Sequence, residues 1–241
     1  MSRRLAILGG CGGIGRQLVA DAQAVGWTPV IFDLPASIDA HGIGGVEMHP
    51  VDASDPADAA RAAGVLGEPL EGFVNLCGFM TASEPLLDRT PQDWADVING
   101  NLNSAFFAAS AFAPHVTEGG AIVQIGSGLG HVARPGYGPY AIAKAGIAAL
   151  TRQMALELAP GIRVNCVAPA AVDTAFLRGG TGRSDEDAPL RLEIESYAAN
   201  NPMKRIAMPA DITGPILFLL SDQASYVTGQ VLHVNGGAFM P

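Results

Sequence analysis

The chain has 241 residues, of which 49% are hydrophobic and only 15% are charged, and its formal net charge is −9. This length suffices for one large α/β domain with a substantial buried core. So acidic a chain excludes a phosphate-neutralising surface, and we therefore expect no nucleic-acid partner.

Predicted strands and helices alternate from one end of the chain to the other. The first strand, LAILGG, is followed directly by a helical stretch, IGRQLVADAQAV. Asp55 and Pro56 are typical of a helix N-cap and first turn. The predicted strands cover residues 5–10, 28–33, 44–52, 71–78, 119–127, 161–169 and 229–237. The predicted helices cover residues 14–25, 55–66, 90–116, 139–159 and 209–221.

This alternation predicts a parallel sheet joined by right-handed crossovers. No internal repeat, low-complexity tract or linker divides the sequence. We therefore predict a single doubly wound, Rossmann-type α/β domain over residues 1–241, with a mainly parallel seven-stranded sheet and helices on both faces.

One segment, at about residues 175–208, breaks the alternation. It is long and mixed in charge, and it follows the carboxyl end of the sixth predicted strand, where open α/β sheets place ligand contacts. It is either a lid over a substrate, which we favour, or a solvated surface excursion. Its apolar residues suggest an apolar lid face: Leu177, Leu190, Leu192, Ile194, Tyr197 and Met203.

The cysteines and histidines give no sign of a metal site or a disulfide framework. Cys11, Cys77 and Cys166 lie far apart without CxxC spacing, and the five histidines are equally scattered. The apolar run near the N-terminus is too short for a signal peptide, and nothing approaches a membrane-spanning length. We expect no metal, no membrane partner and a cytoplasmic location.

The stretch LGGCGGIG lies where a dinucleotide-binding turn is expected, after the first strand and at the start of a helix. It fits GxxxGxG through Gly9, Gly13 and Gly15, and it also fits GxGxxG. Glycines let the backbone approach a pyrophosphate, whose charge the helix N-terminus stabilises. Tight turns also need glycine without a ligand, but Asp33 follows Gly15 by eighteen residues, where a carboxylate would bind the adenosine ribose. The combination favours a dinucleotide site.

The stretch GYGPYAIAKAG carries one tyrosine and one lysine among small residues. Pro139 suits the first helical position, so Tyr140 and Lys144 form an i, i+4 pair on one helix face. Taken alone, this stretch also fits an ordinary amphipathic helix.

Together these motifs resemble the short-chain dehydrogenase/reductase family. The resemblance rests on LGGCGGIG, NLCG, IGSGLG, the Tyr140–Lys144 pair, VAPAAVDT and the C-terminal SDQASYVTGQVLHVNGG, and it covers essentially the whole chain. It implies catalysis by Ser127, Tyr140 and Lys144, assisted by Asn101 from the preceding long helix. Tyr137 is the rival tyrosine, but it lies before the predicted helix and lacks the i, i+4 relation to Lys144.

The implied chemistry is hydride transfer between a carbinol carbon and a nicotinamide ring. Tyr140 would be the general acid/base, and the Lys144 ammonium and the positive nicotinamide would together lower its pKa from the ordinary value near 10. Lys144 would also hold the nicotinamide ribose. Ser127 would hydrogen-bond the substrate oxygen, and Asn101 would help to hold a water that relays protons from Lys144.

The resemblance also implies two sets of binding residues. The cofactor set is Gly9, Cys11, Gly12, Gly13, Ile14, Gly15, Asp33, Leu34, Asp52, Ala53, Asn75, Cys77, Gly78, Tyr140, Lys144, Pro169, Val172 and Thr174. The substrate set is Ser127, Leu129, His131 and Tyr140.

The expected coenzyme is NAD. Enzymes that use NADP place a basic side chain at its extra phosphate, whereas this chain offers Asp33 followed by Leu34. The Asp33 carboxylate would accept hydrogen bonds from ribose hydroxyls and repel a phosphate. Arg16, on the helix beyond the glycine turn, is the main residue that could reverse this preference by reaching the phosphate.

The expected function is NAD(H)-dependent interconversion of a small secondary alcohol and a ketone. One alternative is a 3-oxoacyl-[acyl-carrier-protein] reductase, although Glu118 and Pro160 stand where basic docking residues would be sought. Another is a catalytically silent dinucleotide sensor on the same fold. The resemblance further implies a homo-oligomer, and the apolar AFFAASAFA and C-terminal GGAFMP favour a homotetramer.

Overall fold

The computed structural model describes residues 3–67, 69–178 and 192–240. Its strands are β1 (Arg3–Leu8), β2 (Trp27–Asp33), β3 (Glu47–Pro50), β4 (Leu70–Asn75), β5 (Val116–Ile125), β6 (Arg163–Pro169) and β7 (Val231–Val234). These seven strands form one sheet in the order β3-β2-β1-β4-β5-β6-β7. All the strand pairs are parallel, so the prediction of a seven-stranded, mainly parallel sheet is confirmed.

Helices cover both faces of this sheet. The helices are α1 (Gly13–Ala24), α2 (Pro35–His41), α3 (Pro56–Ala63), α4 (Pro91–Ile98), α5 (Ser104–Phe112), α6 (Gly138–Leu158), α7 (Ile194–Asn200) and α8 (Pro209–Leu220). Side chains of α1 and α8 pack on one face, and those of α3, α5 and α6 pack on the other. Among the described helices, none is long and apolar enough to cross a membrane.

The core is divided by the sheet because successive strand residues point to opposite faces. In β1, Leu5 and Ile7 belong to the cluster beneath α1 and α8, and Ala6 and Leu8 belong to the cluster on the other face. All four are fully buried. A strand buried on both faces reads as a continuous apolar run, which explains why the sequence pattern of LAIL identifies it.

The order of the strands determines where a ligand can bind. β1 has β2 on one side and β4 on the other, so the loops that leave β1 and β4 diverge. Such a switch point opens a crevice at the carboxyl ends of the strands.

Two parts of the predicted element order differ from the structure. No element was predicted over α2, a short helix in which the sole buried residue is Ser37, so it has no apolar stripe for a sequence pattern to reveal. The single helix predicted over residues 90–116 is interrupted by a π-helical turn at Asn99–Asn103, and β5 begins already at Val116. Proline has no backbone N–H to donate within a helix, and Pro114 lies in the short 3₁₀ turn that separates α5 from β5.

The predicted lid segment is described only in part. Residues 179–191, which include Leu190, lie outside the described residues. The described parts are a 3₁₀ turn at Ala175–Arg178 and the helix α7. The Asn201 side chain donates a hydrogen bond to the Asn235 carbonyl (3.2 Å), which ties the end of α7 to the chain that follows β7.

Candidate active site

The glycine-rich turn between β1 and α1 forms one end of a cleft. The N-cap of α1 is Gly12, which has no side chain to cap the helix, and the first turn contains no acidic residue. The backbone of this turn is closely approached from across the cleft, because a Cβ added to Gly13 would lie 2.6 Å from Thr174 Cγ2. The first turn of the helix thus carries no carboxylate of its own, and its positive end is suited to a pyrophosphate.

Asp33 lies at the end of β2 beside this turn. Its Oδ2 accepts a hydrogen bond from the Cys11 N–H (2.8 Å), and its Oδ1 accepts one from the Leu34 N–H (2.8 Å). Burial raises the pKa of Asp33, and these backbone bonds and one from the Ser37 side chain oppose that rise. The carboxylate therefore braces the glycine turn as well as lining the cleft.

Ser127, Tyr140 and Lys144 come together at the opposite end. Ser127 follows β5, and its Oγ accepts a hydrogen bond from the Leu129 N–H (3.2 Å). Tyr140 and Lys144 are both buried on the first turns of α6, and Lys144 Nζ lies 5.6 Å from the centre of the Tyr140 ring. Lys144 Nζ donates a hydrogen bond to the Ile125 carbonyl (3.0 Å), which holds it beneath the tyrosine.

Burial dominates the electrostatics of this group. It raises the pKa of Tyr140 above its usual range, and a side-chain hydrogen bond with Ser127 opposes that rise. It also lowers the pKa of Lys144 to about 8. Burial of the phenolate therefore moves the pKa of Tyr140 upward in the protein alone. The sequence-based expectation of a lowered pKa concerns the site with a positively charged nicotinamide bound beside Lys144, and it stays a prediction.

Asn101 supplies a buried polar atom beside the lysine. Its Nδ2 donates hydrogen bonds to the carbonyls of Phe79 (3.0 Å) and Val97 (2.9 Å), and its Oδ1 has no partner within the described chain. A Cβ added to Gly78 would lie 2.6 Å from this Oδ1 and 3.1 Å from Lys144 Nζ. The π-helical turn thus presents an unpaired acceptor next to the ammonium, where a bound water or a ligand hydroxyl would satisfy it.

One cleft of about 350 Å³ gathers most of the predicted site residues. It lies at the carboxyl ends of the strands, and its size is within the usual range of small-molecule sites. The predicted residues that line it are Gly9, Gly12, Gly13, Ile14, Gly15, Asp33, Leu34, Asp52, Ala53, Cys77, Gly78, Ser127, Leu129, Tyr140, Lys144, Pro169, Val172 and Thr174.

Four predicted residues do not line the cleft. Cys11, Asn75 and Asn101 are buried behind it. Asn75 acts as a brace, since its side chain donates to Gln124 Oε1 (2.9 Å) and accepts from the Cys77 N–H (3.0 Å). His131, predicted to bind substrate, packs instead edge-on against the His233 ring, with 4.6 Å between the ring centres.

The predicted apolar lid face is partly present. Leu177, Leu192 and Tyr197 line the cleft, whereas Ile194 does not and Met203 is 63% exposed on the surface. The structure adds lining residues that sequence reasoning missed, notably Arg134 and Phe239. Arg134 was detectable in principle as the one arginine or lysine between Ser127 and Tyr140, but nothing local indicated that Phe239 would reach the cleft.

A buried arginine connects two loops that form the rim of this cleft. The Arg89 side chain is 6% exposed, with its Nε 3.4 Å from Glu84 Oε2. It donates hydrogen bonds to Thr81 Oγ1 (2.8 Å) and to the carbonyls of Ala82 (2.5 Å) and Gly136 (3.3 Å). Gly136 has a φ of +89°, and a side chain there would collide with Ser83, so glycine is required for this close approach.

We expect Arg89→Met to lower the free energy of unfolding by about 1–3 kcal/mol, because it removes a buried side chain that donates hydrogen bonds to both loops, at the half-buried Thr81 and Gly136. Urea unfolding checks the change. Arg61→Met is the matched control, since Arg61 pairs with Asp58 on an exposed helix face and its loss should cost at most about 1 kcal/mol. Equal effects of the two substitutions would show that the rim does not depend on Arg89.

Comparison with protein families places residues 10–238 in the family described as enoyl-(acyl carrier protein) reductase. The chain is 31% identical to the 3-oxoacyl-[acyl-carrier-protein] reductase FabG of Staphylococcus aureus, over 100% of this chain and 99% of that protein. It is 38% identical to the FabG of Buchnera aphidicola, although that match spans 65% of this chain and 61% of that protein.

A solved structure with the same fold is a short-chain dehydrogenase/reductase from Brucella melitensis, described as a glucose/ribitol dehydrogenase. It superposes with a TM-score of 0.89 at 28% identity, covering 99% of this chain and 97% of that one.

Proposed function

The chain belongs to the short-chain dehydrogenase/reductase family of oxidoreductases, and we propose that it interconverts a secondary alcohol and a ketone, with NAD(H) as coenzyme. The observation that carries this proposal is the meeting of Ser127, Tyr140 and Lys144 at one end of a cleft whose other end is the glycine turn and Asp33. A dinucleotide site and a proton-transfer group thus share one cavity.

The residues present fit a dinucleotide. The N-terminus of α1 would hold the pyrophosphate, and Asp33 would accept hydrogen bonds from the adenosine ribose. Lys144, together with the loop over residues 169–174, would hold the nicotinamide riboside. When bound, the nicotinamide supplies or accepts the hydride.

The protein's own part in the reaction is proton transfer at the substrate oxygen. The Ser127 hydroxyl donates a hydrogen bond to that oxygen, and Tyr140 gives it a proton in ketone reduction or removes one in alcohol oxidation. A raised pKa keeps Tyr140 as the neutral phenol at neutral pH, which is the form that protonates a ketone. Asn101 Oδ1 and the Lys144 ammonium, both beside Gly78, would connect Tyr140 to solvent through a bound water. This path would resupply the proton after ketone reduction and release it after alcohol oxidation.

The test is an NADH-absorbance screen against varied ketones, with the reverse reaction followed on secondary alcohols. Turnover that requires Tyr140 supports the proposal. Tight NADH binding without turnover of any substrate would instead make the protein a dinucleotide sensor.

A second candidate is reduction of a 3-oxoacyl thioester, which the names of the FabG relatives favour. Short 3-oxoacyl thioesters of coenzyme A and of acyl carrier protein test it. A carrier-linked enzyme should use the protein thioester with the higher kcat/KM, whereas an enzyme for small ketones should not distinguish the two carriers.

We further propose that the described part of the 175–208 segment closes over the substrate. Leu177 and Tyr197, which line the cleft from this segment, support that role. The Tyr197 hydroxyl also accepts a hydrogen bond from the Ala171 N–H (3.4 Å), which joins α7 to the loop after β6.

We expect the protein to be a homo-oligomer, most simply a tetramer. Large apolar side chains are exposed on α5 and α6, with Phe106 52% and Leu156 79% exposed, and Met240 near the C-terminus is 74% exposed. Burying them against further copies removes apolar surface from water. Light scattering at micromolar protein checks the mass, and Phe106→Asp should shift it towards the monomer. A monomeric wild-type protein would contradict this expectation.

A further inference from the structure

The charged groups of the cleft are divided between its two ends. Asp33 ends β2 and Asp52 follows β3, at the end of the cleft assigned to adenosine, and Lys144 lies buried below Tyr140. Among the described lining residues, the one other charged side chain is Arg134, in the loop between Ser127 and Tyr140. The residues that line the substrate end around it are mainly apolar: Met80, Leu129, Val132, Phe176, Leu192 and Phe239.

Arg134 makes no hydrogen bond or ion pair with any described residue. Three other arginines have ion-pair partners: Arg61 has Asp58, Arg89 has Glu84 and Arg205 has Asp211. Arg152 of α6 is exposed like Arg134 and also makes no hydrogen bond or ion pair with a described residue, so what distinguishes Arg134 is its place in the cleft lining. The chain contains 23 acidic residues against 14 lysines and arginines, so carboxylates are plentiful. Because Arg134 faces the cleft and is paired with no carboxylate of the described chain, its N–H donors are available to a ligand.

The backbone that carries Arg134 is held in place. Two residues further on, the Gly136 carbonyl accepts hydrogen bonds from the Glu84 N–H (3.2 Å) and from Arg89 (3.3 Å). The loop is thereby joined to the opposite rim. A fixed backbone reduces the ordering that an arginine side chain must undergo on binding a ligand.

We propose that Arg134 binds an anionic group at the end of the substrate remote from the reacting carbon, so that the substrate class is an oxo acid and its hydroxy acid. This inference rests on the proposed function. A guanidinium binds a carboxylate through two parallel hydrogen bonds, and the apolar wall accommodates the carbon chain between the carboxylate and the ketone. The phosphate of a phosphopantetheine arm is also an anion that Arg134 could bind. The experiment distinguishes this phosphate from the carboxylate of an oxo acid.

The experiment compares straight-chain oxo acids, in which the ketone stands progressively further from the carboxylate, with their methyl esters. For the acid that is used best, Arg134→Met should raise KM roughly 10–100-fold, in keeping with the loss of a charge-assisted bidentate contact. The KM for the methyl ester should change less than about twofold in the same variant. Arg134→Lys should recover part of the loss, since it keeps the charge but not the planar fork. Arg152→Met, an exposed arginine of α6 outside the cleft lining, is the control and should change neither substrate.

A binding measurement keeps this test independent of turnover. Oxo acids are titrated calorimetrically into wild-type and Arg134→Met protein that is saturated with NAD⁺, where no reduction occurs. Weaker binding of the acid but not the ester by the variant supports the proposal, even if no ketone in the screen is turned over. If Arg134→Met weakens the binding of acid and ester equally, or weakens neither, the proposal about Arg134 is wrong. The proposed reduction of ketones would still stand, with neutral ketones as substrates. If only 3-oxoacyl thioesters of coenzyme A depend on Arg134, the anion is the phosphate of the carrier arm and the oxo-acid class is wrong.

Discussion

Replacing Tyr140 with phenylalanine is expected to lower turnover about 10²–10⁴-fold, which is the usual contribution of a positioned acid or base. The substitution removes the hydroxyl that we propose transfers the proton but keeps the ring, which is 7% exposed and packs 5.9 Å from the Phe176 ring, measured between their centres. NADH binding should therefore survive. Steady-state kinetics on a ketone, with a fluorescence titration of NADH, measures both effects.

Tyr137→Phe is the matched control for this prediction. Tyr137 also lines the cleft, but it precedes α6 as its N-cap residue and has no lysine four residues later. Its substitution should be mild. If Tyr137→Phe abolishes turnover and Tyr140→Phe does not, the assignment of the acid/base is wrong.

A preference for NAD(H) over NADP(H) of roughly a hundredfold or more is expected from Asp33. Like-charge juxtaposition costs several kcal/mol, and each ~1.4 kcal/mol is a factor of ten in affinity. Asp33 lines the cleft at the end of β2, and the nearest candidate to reverse the preference, Arg16, donates its Nη1 hydrogen to the Cys11 carbonyl (2.7 Å). The ratio of kcat/KM values for NADH and NADPH on one ketone measures the preference, and equal values would refute the assignment.

Two substitutions separate the charge of Asp33 from its structural role. Asp33→Asn removes the charge and keeps an acceptor for the Cys11 or Leu34 N–H. It should therefore narrow the difference in kcat/KM between NADH and NADPH, chiefly by improving the use of NADPH. Asp33→Ala should narrow the gap as well, but it also removes the brace on the glycine turn and should lower the use of both coenzymes. If Asp33→Asn weakens both coenzymes alike, the carboxylate is structural only.

Local patterns in the sequence were sufficient for much of the fold. The apolar runs of β1 and β2 and the amphipathic stretches between the strands predict the alternation, because burial on both faces of a sheet leaves its mark on consecutive residues. They failed at α2, whose single buried residue leaves no periodicity, and at the π-helical turn, which depends on where Asn101 finds its partners.

For the site, the sequence by itself determined the groups whose spacing is local. The glycine turn, Asp33 at a strand end, and Tyr140 one helical turn before Lys144 follow from the geometry of a turn, a strand and a helix. The tertiary structure alone decided which distant residues share the cleft. It buried Tyr140 and Lys144 and so set the directions of their pKa shifts, and it turned His131 away towards β7. It also brought Arg134 and Phe239 to the lining of the cleft. Contacts of this kind depend on how loops pack across the ends of the strands, and no periodicity along the chain encodes that packing.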